Sequence, residues 1–442
     1  MGSSGLGGLH ALEAEYRAAT PASAHAWERA CRSLPGGDTR AAAFFPPYPI
    51  AVARGKGSKL RDLDGRELID FLNNYSALIL GHGHPAIVEA VQEVLPHGTG
   101  FSAAHESQTE LAERLVERVA SIDLVRFCNS GTEATMWAVR AARAFTRRPL
   151  IVKAYGGYHG SYDQLEQWAW ESGGPRLAVG GIGDLDRHTL VVPYDDAEAL
   201  EAAIAGREQE IAAVILEPLL GSAGIFSASP EYLRAARRFC DRAGALMILD
   251  EVISLRLGRG GVQGAIGVEP DLTALGKIIG GGFPVGAFGG RREVMSIFDP
   301  SETGFLGHTG TYNGNPVTMT AGARTLDLLD EVAYTELDRL GASLAAGFEA
   351  AIAAHGLELS LTRAGSLIQL HPTREPLPLR PGETRDTTVI RALHLGLCLE
   401  GVHAAPRGFL NCSLVHTDED VAFAVAAFGR ALARAEQALP TF

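Results

Sequence analysis

The sequence predicts an α/β protein in which a large domain, built on a doubly wound and mainly parallel sheet, is joined to a smaller α+β domain. Its 442 residues exceed the size of one typical domain and set the expectation of two or three. Short, mostly apolar runs alternate with helical patterns, as in βαβ units. The runs are residues 125–128, 150–152, 212–216, 245–249 and 272–275. Glycine-rich or charged segments follow these runs, where the ligands of open α/β sheets bind.

The two ends of the chain are expected to build the smaller domain together. Residues 1–75 are expected to form an N-terminal arm, helical at first, and then a small meander of strands with turn signals between them. Residues 76–325 hold the alternating pattern and are expected to form the large domain. A helix-rich, strand-poor tail at residues 326–442 would complete the smaller domain.

Composition argues against several classes of protein. The net charge of −13, from 39 basic and 52 acidic residues, argues against a nucleic-acid partner, because such binding depends on cationic side chains. Five cysteines without a C-x-x-C spacing argue against a disulfide framework or a structural zinc site, and we expect no metal. No apolar run approaches the roughly 18 residues of a membrane helix, and the first residues lack the features of a signal peptide. We therefore expect a cytoplasmic protein without a membrane partner.

The first two strand ends offer a seat for an anion and a flat aromatic face. Residues 129–134 (NSGTEA) open a helix, whose free N–H groups and dipole attract a phosphate. Residues 155–160 (YGGYHG) hold two tyrosines and a histidine in a glycine-rich loop that can stack on a flat ligand. Taken alone, the first segment is also explained as a helix cap and the second as an aromatic packing corner.

Three further strand ends carry ionisable side chains. Glu217 follows the third run, and alone it is uninformative. Asp250 follows the fourth run, where desolvation would require a partner, either a protonated ring nitrogen or a cation on a neighbouring strand. Lys277 follows the fifth run, and burial among apolar groups would favour its neutral amine, a usable nucleophile. A structural ion pair and a lysine that reaches to solvent are the plainer alternatives for these two residues.

Together these segments describe a site for pyridoxal 5′-phosphate (PLP). In such a site a lysine forms the Schiff base, an aspartate keeps the pyridine nitrogen protonated, and a helix N-terminus holds the phosphate. The motifs of other enzyme classes fail. The chain has no G-x-S-x-G segment, and residues 105–109 (HESQT) depart from the H-E-x-x-H pattern of zinc proteases.

The motifs at these strand ends resemble those of the class III PLP-dependent aminotransferases. The similar segments are NSGTEA (129–134), GYHG (157–160), DEV (250–252), LGKIIGGG (275–282), DLDGRELID (62–70), GHGHP (81–85) and HTGTYNGNP (308–316). The similarity runs from about residue 35 to residue 420. It implies a fold-type I PLP-dependent transferase, with PLP bound by the large domain, that works as a homodimer with its active sites at the subunit interface.

The resemblance also implies roles for individual residues. Lys277 would be the Schiff-base lysine, and Asp250 would be the partner of the pyridinium nitrogen. The other expected cofactor contacts are Ser130, Gly131 and Thr132 at the phosphate, Tyr158 stacked on the ring, Glu217 near the ring, and Thr311 at the phosphate of the neighbouring subunit. Ile253 departs from the family pattern, because many members have a glutamine there that hydrogen-bonds the cofactor.

Two branches of the family match different parts of the sequence. LPGG (34–37) and LILGH (78–82) resemble glutamate-1-semialdehyde aminomutase. FFPPYP (44–49) and APRGF (405–409) resemble β-amino-acid (β-phenylalanine) aminotransferases. The aminomutase usually has a Ser-Trp-Gly-Pro-like segment where this chain has NYSA (74–77), which favours the second branch.

The arginines also favour aminotransferase activity. An aminotransferase binds two carboxylates in turn, and arginine pairs with a carboxylate through two parallel hydrogen bonds. By resemblance, Arg40 would hold the carboxylate of the donor and Arg407 that of the acceptor, and Tyr75 is also expected at the substrate. We therefore expect transfer of an amino group from an aromatic or apolar β-amino acid, or a related amine, to a 2-oxo acid such as 2-oxoglutarate or pyruvate. The alternative is glutamate-1-semialdehyde 2,1-aminomutase activity.

Overall fold

The computed structural model of the chain describes residues 3–166, 169–171, 174–176, 187–378 and 385–439. These residues divide into two units, and each unit has hydrophobic core clusters of its own. The first unit takes in the described residues of 1–84, 335–377 and 384–442, and the second unit takes in those of 85–334 together with Pro378. The domain boundaries expected at 75/76 and 325/326 stay a prediction. No helix in the described part of the chain is long and apolar enough to cross a membrane.

The strands are short, as in most α/β proteins. In chain order they are β1 (Val52–Lys56), β2 (Lys59–Asp62), β3 (Glu67–Asp70), β4 (Leu124–Cys128), β5 (Leu150–Ala154), β6 (Ala169–Glu171), β7 (Gly174–Arg176), β8 (Thr189–Val192), β9 (Ile211–Leu216), β10 (Leu219–Leu220), β11 (Phe226–Ser227), β12 (Leu246–Asp250), β13 (Leu272–Gly276), β14 (Gly286–Gly290), β15 (Ser360–Ala364), β16 (Leu367–His371), β17 (Val402–His403) and β18 (Phe409–Asn411).

The helices range from single turns to more than twenty residues. In chain order they are α1 (Ser3–Ala19), α2 (Pro21–Ala30), α3 (Asn73–Ser76), α4 (Pro85–Val94), α5 (Glu106–Arg118), α6 (Gly131–Thr146), α7 (Asp163–Glu166), α8 (Ala197–Ile204), α9 (Pro230–Ala243), α10 (Gly261–Ile266), α11 (Arg292–Met295), α12 (Pro316–Asp327), α13 (Glu331–Ala353), α14 (Thr388–Leu399) and α15 (Asp418–Ala438).

A seven-stranded sheet forms the centre of the second unit. Its strand order is β4-β14-β13-β12-β9-β5-β8, and every strand except β14 runs in the same direction. The five apolar runs predicted from the sequence coincide with strands of this sheet, namely β4, β5, β9, β12 and β13, and only Ala245 falls outside them, just before β12. The predicted α/β class with a mainly parallel sheet is therefore confirmed.

Alternate residues of the central strands pack against helices on opposite faces of the sheet. In β12, Met247 and Leu249 belong to the same core cluster as Tyr232 of α9. Ile248, which lies between them, belongs to the other cluster with Ala138 of α6. Because both faces are covered, every residue of β12 is buried, and residues 246–249 form a continuous apolar run rather than an alternating one.

The sequence does not predict β14, because the run Gly286–Gly290 is rich in glycine, which is a poor strand former. The neighbouring backbone explains the composition. A Cβ on Gly286 would lie 2.0 Å from the carbonyl oxygen of Ser130, and a Cβ on Gly290 would lie 2.1 Å from that of Asp271. Only glycine allows so close an approach, and the glycines therefore support this strand instead of breaking it.

The first unit contains two smaller sheets. Strands β1, β2, β3 and β17 form one sheet, in which β3 and β17 are parallel, and β15, β16 and β18 form an antiparallel one. Helices α1, α14 and α15 contribute to the core, where the rings of Phe348 and Phe428 stack with centroids 4.0 Å apart. The tail of the chain, with β15 to β18, therefore holds more strands than the sequence predicts. These strands escaped prediction because they have only two to five residues each.

Candidate active site

The ends of several strands meet at one edge of the seven-stranded sheet. Gly276, the last residue of β13, pairs with Gly286 of β14, which in turn pairs with Cys128 at the end of β4. Val252, just beyond β12, faces the same edge, because its Cγ1 would lie 3.1 Å from a Cβ on Gly131 and 3.2 Å from a Cβ on Gly276. The topology thus brings together segments that are far apart in the sequence.

The N-terminus of α6 offers a seat for an anion. Ser130 caps this helix, and its Oγ accepts a hydrogen bond from the N–H of Glu133 at 3.1 Å. The N–H groups of Gly131 and Thr132 precede the first intrahelical hydrogen bonds, so they are available to an anion. This arrangement suits the phosphate that the sequence predicts at this position.

The loop after β5 docks onto this end of the helix. The N–H of Ser161 donates to Thr132 Oγ1 at 3.2 Å. A Cβ on Gly160 would lie 2.5 Å from the Cα of Thr132, so that glycine is required for the contact. The same loop carries Tyr158, which is 40% exposed and so accessible to a ligand.

Asp250, the last residue of β12, is 3% exposed and has two partners. Its Oδ1 accepts a hydrogen bond from the N–H of Val252 at 3.0 Å, and its Oδ2 lies 2.9 Å from Nδ1 of His159. Burial lowers the pKa of His159, which favours a neutral imidazole that donates from Nδ1. Sequence reasoning placed His159 in the aromatic loop but could not assign this contact, because the two residues are 91 positions apart.

Glu217, one residue beyond β9, ties the loop of Tyr158 to the sheet. Its Oε1 accepts a hydrogen bond from the N–H of Tyr158 at 2.7 Å, and its Oε2 accepts one from the N–H of Gly221 at 3.0 Å. Burial and then the charge of Asp250 raise the pKa of Glu217 to about 8, while Lys277 acts in the opposite direction. Asp250 and Lys277 therefore both lie near enough to Glu217 for their charges to act on its carboxyl group.

Lys277 begins a short turn directly after β13. It is half-buried, so the expected enclosure among apolar groups is only partial. Its φ of +49° is a left-handed conformation that is uncommon for lysine. Backbone conformations of this kind concentrate at active sites, where the surrounding structure enforces them.

A second lysine near this site, Lys153 of β5, is missed by sequence reasoning. It is fully buried, and its Nζ donates to the carbonyl oxygens of Gly157 at 2.9 Å and Leu165 at 2.6 Å. Burial lowers its pKa to about 7. Lys153 therefore supports the loop of Tyr158 from inside the protein. The sequence does contain a feature that could have indicated this buried lysine, because Lys153 is a charged residue within the otherwise apolar run LIVKA (150–154).

Thr311 lies on an exposed loop of the second unit and lines a cavity of about 1010 Å³. Within this loop, Nδ1 of His308 accepts a hydrogen bond from Nε of Arg126 at 3.1 Å. Asn313 Oδ1 accepts one from Nδ2 of Asn129 at 2.9 Å. Since Asn129 immediately precedes the helix cap, the loop of Thr311 is anchored to the segment that carries the anion seat.

Two of the expected substrate residues, Arg40 and Tyr75, lie together in the first unit. Nη1 of Arg40 donates to Oδ1 of Asn74 at 2.6 Å, and the hydroxyl of Tyr75 donates to the carbonyl oxygen of Ala42. Burial raises the pKa of Tyr75, and the charges of Arg407 and then Arg40 lower it. Both guanidinium groups therefore act on the same tyrosine hydroxyl.

Arg407, the third expected substrate residue, is held from two sides within the first unit. Its Nη1 donates to Oε1 of Gln369 at 3.3 Å, and its guanidinium carbon lies 4.9 Å from the ring centroid of Phe409. Gln369 also donates to the carbonyl oxygen of Arg407 at 2.5 Å. These contacts hold both the guanidinium group and the backbone of Arg407 in place.

Residues 73–76, labelled α3, form a left-handed turn with φ values of 48°, 51°, 54° and 71°. Each such value costs an L-residue about 1–3 kcal/mol, so the surroundings must hold the turn. Oδ1 of Asp70 accepts hydrogen bonds from the N–H groups of Leu72 and Asn73 at 2.9 and 3.1 Å. The side chain of Asn73 donates to the carbonyl oxygen of Asn411 at 2.9 Å. A turn that is strained and firmly anchored in this way indicates a functional segment.

The family model of the class III aminotransferases matches residues 42–432. The chain belongs to the class III aminotransferase family. The resemblance inferred from the strand-end motifs is therefore confirmed. This class III aminotransferase is a PLP-dependent enzyme of the aminotransferase type, from a family whose substrates are small-molecule amino donors and acceptors.

Known relatives of this class III aminotransferase have two kinds of name. Glutamate-1-semialdehyde 2,1-aminomutase of Sorangium cellulosum (strain So ce56) is 42% identical over 427 residues, which cover 93% of this chain and 96% of the relative. An ω-transaminase structure from Sphaerobacter thermophilus is 41% identical, with a TM-score of 0.88 and coverage of 94% of this chain and 98% of that one. A β-phenylalanine aminotransferase structure from Variovorax paradoxus is 37% identical, with a TM-score of 0.88 and coverage of 96% of both chains. The curated relatives back the aminomutase alternative better than they back transfer from a β-amino acid.

The cofactor of this class III aminotransferase is PLP. A solved transaminase with PLP bound is 36% identical, with a TM-score of 0.88, and the match covers 96% of this chain and 99% of that one. Ile253, the departure noted in the sequence, is 8% exposed, and its Cγ2 would lie 2.8 Å from a Cβ on Gly221. Ile253 therefore contributes packing here and no hydrogen bond.

Proposed function

We propose that this class III aminotransferase is a glutamate-1-semialdehyde 2,1-aminomutase, an enzyme that exchanges the amino and oxo groups of a single substrate. The proposal rests on curated relatives of that name, which are 40–42% identical over 92–93% of the chain. It replaces the prediction, favoured by the sequence, that the enzyme transfers an amino group from a β-amino acid.

The residues at the strand ends would suit the charged groups of PLP. Gly131 and Thr132 would bind its phosphate through their N–H groups, together with the hydroxyl of Ser130. The exposed face of Tyr158 would stack on the ring. This assignment is supported by the capped N-terminus of α6 and by the loop docked onto it.

The ionisable residues would share the chemistry between them. PLP, when bound, withdraws electrons from the amine-bearing carbon of the substrate. Asp250, whose Oδ2 lies against Nδ1 of a neutral His159, would hold the proton on the ring nitrogen. Glu217 would keep the loop of Tyr158 in place. Nζ of Lys277 would bind the cofactor covalently and, once released, carry a proton to and from the substrate carbon as general base and acid.

Arg40 would bind the carboxylate of the substrate. A guanidinium group has five N–H donors, and the hydrogen bond from Nη1 to Asn74 leaves others for a bidentate pair. Glutamate-1-semialdehyde has one carboxylate, so that one arginine satisfies it.

A second candidate function is the aminotransferase that the sequence favoured, which moves the amino group of a β-amino acid to a 2-oxo acid. Two observations favour it. Arg407 acts on the hydroxyl of Tyr75 together with Arg40, and two carboxylates bound in turn would use two arginines. Two of the solved relatives, at 41% and 37% identity, are named as transaminases.

A single comparison separates the two functions. The purified holoenzyme is given glutamate-1-semialdehyde without any added 2-oxo acid and, in parallel, β-phenylalanine with 2-oxoglutarate or pyruvate. Faster isomerisation of the semialdehyde than transfer from β-phenylalanine would support the aminomutase. Turnover that occurs only with an added 2-oxo acid would overturn it in favour of the transaminase.

The proposed assembly is a homodimer with shared active sites. Thr311 of one subunit would reach the phosphate bound by the other subunit, as the family resemblance implies. The exposure of Thr311 on a loop anchored to Asn129 supports this proposal.

A further inference from the structure

Arg40 is an exposed residue whose guanidinium group is nevertheless held by a neighbour. Its Nη1 donates to Oδ1 of Asn74 at 2.6 Å. The one carboxylate close in sequence, Asp38, accepts hydrogen bonds from the backbone N–H groups of Thr39 and Arg40 at 2.6 and 3.2 Å. The guanidinium is thus oriented by a neutral amide, which fixes its direction without neutralising its charge.

Asn74 is suited to this task by its backbone as well as by its side chain. It occupies the second position of the left-handed turn, with a φ of 51°. Asparagine tolerates this conformation better than most residues do, and its side chain supplies a carbonyl acceptor. An alanine would lack both properties, and a glycine would keep only the first.

The turn also holds the backbone that carries Arg40. The hydroxyl of Tyr75 donates to the carbonyl oxygen of Ala42, two residues beyond the arginine. On its other side the turn is fixed by Asp70 and by the contact of Asn73 with Asn411. The strained turn therefore holds the arginine segment at two points, at its side chain and at its backbone.

We propose that Asn74 is a positioning residue that orients the guanidinium of Arg40 for the carboxylate of the substrate. The inference rests on the proposed function only in so far as that function assigns the substrate carboxylate to Arg40. It holds for the aminomutase and for the transaminase alike, because both substrates have such a carboxylate.

The test compares Asn74→Gly with the wild-type holoenzyme on two pairs of compounds. Glutamate-1-semialdehyde is paired with 2-aminobutanal, and β-phenylalanine is paired with 1-phenylethylamine. In each pair the first compound has a carboxylate, and the second has a hydrogen in its place. Asn74→Gly keeps the left-handed turn accessible and removes only the acceptor. We expect KM for the carboxylate compound to rise about tenfold, with a smaller change in kcat, while the values for the carboxylate-free partner stay the same.

Arg40→Gln is the reference variant, and Arg54→Gln, at another exposed arginine of the first unit, is its matched control. We expect Arg40→Gln to raise KM for the carboxylate compound at least as much as Asn74→Gly does. In the double variant, Asn74→Gly should cause no further rise in KM beyond that of Arg40→Gln. An equal effect of Asn74→Gly on both members of a pair would assign Asn74 a merely structural role and overturn the inference.

The roles of Arg40 and Asn74 are contradicted by different results. If Arg40→Gln leaves KM for the carboxylate compound unchanged, the assignment of Arg40 is wrong, and the inference about Asn74 is wrong with it. If Arg40→Gln raises KM but Asn74→Gly does not, the role of Arg40 stands and only the inference about Asn74 is overturned.

Discussion

Lys277 is the residue on which the proposed chemistry depends most directly. We expect Lys277→Ala to lower turnover by at least about a thousandfold, because the variant loses both the covalent link to the cofactor and the proton carrier. Borohydride reduction followed by mass spectrometry of the intact chain measures the link, and it should find the cofactor attached to the wild type and to the control variant but not to Lys277→Ala. Lys56→Ala, at an exposed lysine of β1, is the control. A Lys277→Ala protein that kept the attached cofactor would place the link elsewhere.

Glu217 is expected to make stability depend on pH. Burial and the nearby Asp250 raise the pKa of Glu217 to about 8 in the folded protein, whereas an unfolded chain has the ordinary value near 4.5. Between these values the folded protein keeps a proton that the unfolded chain releases. Raising the pH through this window therefore favours unfolding, and the stability contributed by the protonated carboxyl is lost as the pH approaches 8.

Replacing Glu217 with glutamine isolates this contribution. Urea unfolding of the apoprotein between pH 5 and pH 8 should show that the stability of the wild type falls relative to that of Glu217→Gln. The expected change in the difference is on the order of 1 kcal/mol per pH unit. His159, whose lowered pKa acts with the opposite sign, contributes equally to both proteins. Parallel pH profiles would show that Glu217 is ionised throughout this range.

The individual site residues differ in how far the sequence can predict them. The positions of Asp250 and Lys277 were predictable, because each lies at the end of a buried parallel strand, and the ends of such strands share one edge of a sheet. The contact of Asp250 with His159 was not predictable, since it depends on how a loop folds back over the sheet. Asn74 was equally hidden, because nothing in the letters NNYS signals four left-handed residues in succession.

At the scale of elements, β14 sets the spacing between the anion seat and the turn of Lys277. We expect Gly286→Ala to destabilise the protein by about 3 kcal/mol or more, because its Cβ would lie 2.0 Å from the carbonyl oxygen of Ser130 and force two strands apart. The affinity for PLP should fall as well, since Ser130 caps the helix that would bind the phosphate. Chemical unfolding and a PLP titration measure the two effects.

Gly264→Ala, in α10 of the same unit, is the matched control. A Cβ on Gly264 would have no heavy atom within 4 Å, so alanine should be neutral or stabilise by up to about 1 kcal/mol. Equal stabilities for the two variants would show that the close approach of β14 to Ser130 is not rigid.

Elements were predictable where burial on both faces produces a long apolar run, as in β9 and β12. Strands were not predictable where their conformation depends on the neighbouring strands and backbone rather than on their own sequence. β14 is such a case, since its glycines are needed only because adjacent backbone leaves no room for side chains. The short strands β17 and β18 likewise take their conformation from pairing with β3 and β16, which no local pattern reveals.

At the scale of the whole molecule, the second unit presents large apolar side chains to solvent around Thr311. Tyr312 is 68% exposed and Phe101 48% exposed, and both line the same cavity as Thr311. Exposed apolar surface of this kind is typical of protein interfaces, which supports the proposed homodimer. Sedimentation of the wild type should give the mass of two chains, and Tyr312→Glu should shift the equilibrium towards one chain.

Complementation between two inactive variants tests whether the active sites are shared. Lys277→Ala removes the lysine from one site, and Thr311→Arg would block the phosphate of the site in the partner subunit. In a mixed dimer, the intact Lys277 of one chain meets the intact Thr311 of the other, so one site of two is complete. Random mixing should therefore restore about a quarter of wild-type activity, because half of the dimers are mixed and each has one working site. If Thr311 served the site of its own chain, the mixed dimer would hold no complete site, and mixing would restore nothing.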